Sequence, residues 1–274
     1  MCKDLHGQTY AISSYRCLTQ MWGITAKFLK QFASVTCEVI KMKGVLFVVK
    51  SWMTILFGAL LQYVGIPQLV ICKRLRCNRT FRLGNKTYRY FYHRHNTTWR
   101  NERAVEIPII WDWLTQYRDK RILEVGNVLS HYFDVNHDVV DRYERGRNVI
   151  NTDVTEFNTN KKYDLIISIS TLEHIGWFWY EEPQNYGKVL VAIEKLKSML
   201  AEGGKLVVTI PVGYNFKLDE LIDKGEIEFT QMYCMKRISR DNRWVEVSWD
   251  EVKHMKYDTP YPGANGLVIG VIEK

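Results

Sequence analysis

The chain has 274 residues, 46% apolar and 25% charged, a composition that builds a buried core and excludes a disordered or collagen-like polymer. Its net charge of +8 is unevenly placed: 20 Lys and Arg stand against 6 Asp and Glu up to residue 121, and 18 against 24 beyond it. The basic surplus belongs to the N-terminal part, whose expected partner is anionic, either a membrane surface or a nucleic acid.

Residues 1–20 carry no clear pattern. From Phe28 to Leu60 apolar residues recur at alternating spacings of four and three, the stripe of an amphipathic helix, with Lys27, Lys30, Lys41, Lys43 and Lys50 interspersed. Ser51–Cys72 is free of charge and about as long as a bilayer span requires, although Gln62, Pro67, Gln68, Gly58 and Gly65 interrupt it. Three readings are open for residues 20–72: a basic helix in the membrane interface, a single anchor with Lys73, Arg74, Arg76 and Arg79 on the cytoplasmic side, or a helix that packs on the domain or pairs as a coiled coil. The expected location is cytoplasmic, peripheral to a membrane or anchored at it. Residues 1–75 are therefore read as a basic helical extension.

The cysteines, Cys2, Cys17, Cys37, Cys72, Cys77 and Cys234, form no CxxC pair and have no metal-site spacing, so free thiols and no metal are expected. The sequons at Asn78, Asn85 and Asn96 follow an N-terminus without the basic, apolar and small-residue succession of a signal peptide, and are read as chance.

Residues 76–97 are read as a β-hairpin and linker: alternating apolar positions in RTFRLGNKTYRYFY flank a Gly84–Asn85 turn. Its Arg and aromatic residues could stack on single-stranded nucleic acid, but no RNA-module signature accompanies them, and a solvated basic face is favoured. Thr98 or Asn101 then caps a helix with Glu102 in its first turn, and Pro108 predicts a kink or break within it.

From Lys120 onward, strands alternate with helical patterns. Lys120–Val125, Asp138–Asp141 and Asn148–Asn151 are the first three strands, and the apolar run Tyr163–Ser170 is a central parallel one. Asn185–Leu200 is helical and is expected to stop at Gly203–Gly204. Lys205–Pro211, Phe229–Ile238 and Asn265–Glu273 complete the strands, with a short helix at Leu218–Lys224. The pattern predicts an α/β fold, a doubly wound and mostly parallel sheet with helices on both faces. Glu124, Asp141, Asp153 and Ser168–Glu173 sit where strands end together, the edge at which such sheets bind ligands.

These residues carry a resemblance. With LEVGN at 123–127, the acids at the next two strand ends and LEHIGW after the fourth strand, residues 98–274 resemble a class I S-adenosylmethionine-dependent methyltransferase, a Rossmann-like domain with a seven-stranded sheet. The resemblance implies S-adenosyl-L-methionine as cofactor. Glu124 would lie near its methionine amino group, Gly126 would let the backbone approach, and Asp141 would accept from the ribose hydroxyls. Asp153 would read the adenine amino group, and Ser168, Ser170 and Thr171 would stand beside the methyl. Arg103 would pair with the methionine carboxylate. His174 is the best-placed general base, with Glu173 as its orienter or as an alternative base. Trp177, Phe178, Trp179, Tyr180 and Tyr214 would wall the acceptor pocket. One departure stands out: Asn127, Val128, Leu129 and Ser130 occupy positions where the family commonly has further glycines. The expected acceptor is a small molecule or a lipid-linked sugar. The alternatives are a Rossmann-like binding module without activity and an RNA or nucleotide methyltransferase.

Overall fold

A computed structural model describes residues 78–177 and 185–274. The amphipathic stripe and the uncharged run of residues 20–72 lie outside the described residues, as do Phe178, Trp179 and Tyr180. Among the described residues, no helix is long and apolar enough to cross a membrane.

Among the described residues, ten strands form two sheets. Strands β1 (Thr80–Leu83) and β2 (Lys86–Arg89) make the expected hairpin around Gly84. The large sheet contains β3 (Ile122–Val125), β4 (Asp138–Val140), β5 (Val149–Ile150), β6 (Tyr163–Ile169), β7 (Leu200–Pro211), β8 (Gln231–Arg237), β9 (Trp244–Val247) and β10 (Gly266–Glu273). Its order is β5-β4-β3-β6-β7-β10-β8-β9. The five strands from β5 to β7 run parallel, and β10 inserts antiparallel between β7 and β8. The sheet is doubly wound, and it has eight strands, not the seven expected. The additional strand, β9, is a four-residue partner of β8 with two exposed members, too short to stand out as a periodic pattern.

Helices cover both faces. Side chains alternate across the central strands, so Leu165, Ile167 and Ile169 of β6 face one layer while Ile166 faces the other. Helix α1 (Arg103–Gln116) packs Ile107, Ile110 and Leu114 on the first face. Helices α2 (Lys188–Met199) and α3 (Phe216–Asp223) pack Val189, Ala192, Ile193, Leu196, Leu218 and Ile222 on the second. Helix α1 is apolar on two sides because it lies between sheet and hairpin. Its Val105 and Ile109 meet Phe81, Leu83, Met235 and Trp244 in a third cluster. The hairpin is thus seated in the core of the domain, and Gly84 N donates to Glu246 Oε2 at 2.7 Å.

Three local expectations change. Helix α1 runs unbroken through Pro108; packing on both flanks holds the chain helical where the proline removes one backbone donor. Its first residue is Arg103, and neither Thr98 nor Asn101 caps it as read from the sequence. Thr98 Oγ1 donates instead to Phe91 O at 2.9 Å, and Asn101 Oδ1 accepts from Arg103 N at 3.2 Å. Gly203–Gly204 does not stop α2, which ends at Met199. Both glycines lie within β7, where the pairing to β6 shifts register between Tyr163 and Leu165. Gly203 has φ +69°, the left-handed backbone of a bulge.

Candidate active site

At the carboxyl edge of β3, β4 and β6 lies a cavity of about 320 Å³, within the range of small-molecule sites. It is lined by Val125–Val128, Val140–Glu144, Thr152–Val154, Thr171, His174–Gly176, Asn185 and Lys188. Five of the residues singled out in the sequence, Gly126, Asp141, Asp153, Thr171 and His174, meet here.

Gly126 closes β3 with φ +85°, and its N–H donates to Val140 O at 2.8 Å. A methyl group on it would stand 2.8 Å from Thr171 Cγ2 and nearer still to Oγ1. Glycine is therefore required both by backbone conformation and by the approach of the segment after β6.

The loop lacking further glycines is held by carboxylates. Asp141 Oδ2 accepts from Asn127 N at 2.9 Å, and Glu124 Oε1 accepts from Val128 N and Leu129 N at 2.9 Å each. Asn127 also ties Glu144 Oε2 (2.9 Å) to Ser130 Oγ (2.6 Å), and Leu129 drops into the core as the chain turns into a short 3-10 segment. Asp141 Oδ1 accepts from Tyr143 N and Glu144 N. Three of its roughly four acceptor positions are thus occupied by backbone, leaving one for a ligand hydroxyl. Glu144, at the same rim, is a second carboxylate that sequence reasoning missed.

Glu124 lies outside the cavity lining. It is fully buried, and its Oε2 pairs with His137 Nε2 at 2.7 Å, so its task is to hold the loop. Asp153 is bound by Lys188 Nζ (2.7 Å) and by Thr155 N and Oγ1. Burial acts to raise its carboxyl, but these bonds and the lysine charge outweigh it and hold the group below the ordinary range. Nothing in the sequence marked Lys188 or Asn185 as cavity residues, since they lie 35 and 32 positions beyond Asp153, at the start of α2 and just before it.

Ser168, Ser170 and Arg103 are not at the cavity either. Ser168 is fully buried, and its Oγ has no hydrogen-bond partner. Ser170 takes a left-handed φ of +40°, strained for a residue with a side chain, and its Oγ donates to Glu106 Oε1 at 2.6 Å. Arg103 Nη1 pairs with Glu106 Oε2 at 2.7 Å, and Glu106 also accepts from Thr209 Oγ1 at 2.7 Å. Glu106 is 0% exposed, and Arg103 supplies the charge it needs from one turn away on the same helix. An acid inside the apolar run AVEIPII was the sequence signal for this buried network.

His174 also lines the cavity. Its Nδ1 lies 3.3 Å from Tyr214 Oη, its ring packs edge-on to Tyr214 with centroids 4.8 Å apart, and its Nε2 is 3.8 Å from Glu173 Oε1. Burial, then the Arg103 charge, lower its pKa, so the ring is held neutral. Glu173 is 1% exposed, and burial together with Glu106 and Glu102 raises it well above the carboxylate range. Asn215 caps α3 through Oδ1 and donates from Nδ2 to Glu173 O at 2.9 Å, which binds the Tyr214 turn to the LEH segment. Trp177 packs on Phe216 and Tyr186.

This arrangement fits an adenosyl group at the β3–β5 end and a reacting atom near Thr171 and His174. No ligating cluster of His, Cys, Asp or Glu exists among the described residues.

No family model and no curated protein matches the chain. Among solved structures, it is similar to the N-methyltransferase NodS from Bradyrhizobium japonicum in complex with S-adenosyl-L-homocysteine, with 16% identity over 61% of this chain and 88% of that one and a TM-score of 0.36. It is also similar to an S-adenosylmethionine-dependent methyltransferase from Clostridium acetobutylicum (11% identity, 59% and 88% covered, TM-score 0.31). A third is SAM-bound CalS10, an amino pentose methyltransferase from Micromonospora echinaspora (15% identity, 46% and 58% covered, TM-score 0.30). These three solved structures are methyltransferases.

Proposed function

We propose that the chain transfers the methyl group of S-adenosylmethionine to a small-molecule acceptor. The reading is carried by one observation: three parallel strands deliver Gly126, Asp141 and Asp153 to a single cavity that Thr171 and His174 also line. Such strand ends are where open α/β sheets bind nucleotide-like ligands. Asp141 and Glu144 would hold the ribose hydroxyls, Asp153 and Lys188 would meet the adenine, and Gly126 would admit the methionine portion. When bound, the cofactor supplies an electrophilic methyl group on a sulfonium. The protein's own task is then to align an acceptor and to take its proton. His174, neutral and oriented by Tyr214, is suited to that role.

The finer reading places this reaction on a glycan or other small acceptor at an anionic membrane face, reached through residues 20–72. Its support is the charge split of the sequence alone. The full-length protein is then expected to sediment with anionic vesicles and a chain lacking residues 1–75 to stay in solution. Equal behaviour of the two would refute the membrane part and leave the chemistry untouched.

Calorimetric titration with S-adenosylmethionine tests the central reading. Binding is expected, weakened at least tenfold by Asp141→Ala. A Rossmann-like module without activity predicts no heat and no thermal shift at millimolar cofactor, and that outcome would overturn the proposal.

A further inference from the structure

The amino ends of β3, β4 and β6 border a second hollow, on the opposite edge of the sheet from the cavity described above. Its volume is about 510 Å³, within the range of small-molecule sites. The end of α1 and the turn after it contribute Trp111, Leu114 and Arg118, and the loop of residues 134–137 leading into β4 contributes Val135. Leu114 and Ile122 are buried and, with Val135, give the lining apolar surface. Trp111 is 40% exposed, and its ring packs on Phe133 with centroids 3.9 Å apart. The indole is thus held in place while much of its surface stays uncovered.

The charges of the lining do not balance. Arg118, Lys120, Arg121 and Lys161 stand against Asp134 and Asp138. Asp138 is already engaged, since Lys161 Nζ and Tyr163 Oη both donate to its Oδ2, at 2.7 and 2.9 Å. His137 also borders the hollow, but its Nε2 is bonded to Glu124 Oε2. No ion pair among the described residues includes Arg118, Lys120 or Arg121. These three side chains are exposed, and they lie within positions 118–121 of a turn that hydrogen bonds hold. Lys120 N donates to Tyr117 O, Arg121 N to Asp164 Oδ2 and Asp164 N to Arg121 O, each at 2.9 Å. Like charges so close repel one another, and an anion beside them relieves that repulsion.

We infer that this hollow is a binding site for a small phosphate monoester with an apolar, ring-sized body. The phosphate head carries close to two negative charges at neutral pH, which matches the surplus of cations over acids in the lining. Arg118 and Arg121 offer planar forks that can each bind two phosphate oxygens. The body would lie against Trp111, Leu114, Ile122 and Val135. A bare phosphate leaves that apolar surface unused, and an apolar ring alone leaves the cations without a counter-charge, so the ligand needs both parts. The site does not depend on the methyltransfer reading, because none of its lining residues belongs to the cavity at the carboxyl edge.

The probe is 1-naphthyl phosphate, titrated by calorimetry into the full chain at neutral pH and physiological salt, against 1-naphthol and inorganic phosphate. Submillimolar binding is expected, at least tenfold tighter than either comparison compound. Arg118→Ala combined with Arg121→Ala should weaken it at least tenfold. Should that variant fail to fold, Arg121→Gln alone decides, with a loss of at least threefold expected. Asp141→Ala, at the other cavity, should leave the affinity within twofold. No binding at millimolar probe, equal affinity for 1-naphthol or for inorganic phosphate, or unchanged affinity in the arginine variants overturns the inference. Loss of binding in Asp141→Ala also overturns it, because the probe then sits in the other cavity. So does sedimentation with phosphatidic acid vesicles by a chain that ignores the soluble probe, which would assign these cations to a membrane surface. Calorimetry with S-adenosylmethionine reads the methyltransfer proposal separately.

Discussion

Gly126 and Thr171 constrain one another across the cavity, because the space a β-carbon needs at one is filled by the side chain of the other. Gly126→Ala is expected to weaken S-adenosylhomocysteine binding at least tenfold. Adding Thr171→Ala should restore only part of it, since the left-handed backbone still costs roughly 1–2 kcal/mol. Calorimetry on the two single variants and the double variant checks this, and full restoration would show that contact alone matters. A second residue-scale effect concerns Asp219. Its Oδ2 accepts from Gly213 N at 2.8 Å while Oδ1 is buried without a partner, and burial pushes the group up to about 7 against the pull of that N–H. An acid raised on folding binds its proton more tightly in the native state, so its contribution to stability falls as pH rises from about 4 to about 7. Glu173 and Glu102 act in the same sense and His174 in the opposite one, so the comparison must be with Asp219→Asn. The variant should melt close to wild type at pH 5 and above it at pH 8. A pH-independent difference between the two would assign the group an ordinary titration.

Elements show what periodicity can and cannot reveal. Strand β6 was legible as a continuous apolar run and helix α2 by its helical period, and the acids Asp141 and Asp153 were legible because they end strands. Glu124 ends a strand as well, yet it turns inward to the loop. A strand pattern specifies which face a side chain leaves from, and not whether a backbone N–H awaits it there. The bulge at Gly203 depends on pairing with a distant segment, and β9 has only four residues, so no periodic signal announces either. The hairpin was legible as a hairpin but not as part of the core, since its anchors Phe81 and Leu83 find their partners on α1, β8 and β9. Phe81 is 4% exposed, and Phe81→Ala should destabilise the domain by about 3–5 kcal/mol. Urea unfolding measures this, and a loss under about 1 kcal/mol would mean the hairpin is an appendage.

On the scale of the whole molecule, the sheet joins two edges with different chemistry. The carboxyl edge carries the cavity. At the amino edge a second cleft of about 510 Å³ is lined in part by Arg118, Lys120, Arg121, Lys161 and His137. The buried Glu124–His137 pair reaches from that cleft to the loop after β3. The sheet order has a further consequence for the making of the protein. Strand β10 lies between β7 and β8, antiparallel to both. A ribosome that has released residues up to Val247 has therefore made β8 and β9 without the strand that connects them to the rest of the sheet. Until Gly266–Glu273 emerges, no strand joins that two-stranded ribbon to β7, and β7 shows the growing chain an open edge of the kind that invites pairing with other chains. The parallel half of the sheet can assemble during synthesis; its antiparallel half must wait for the seam.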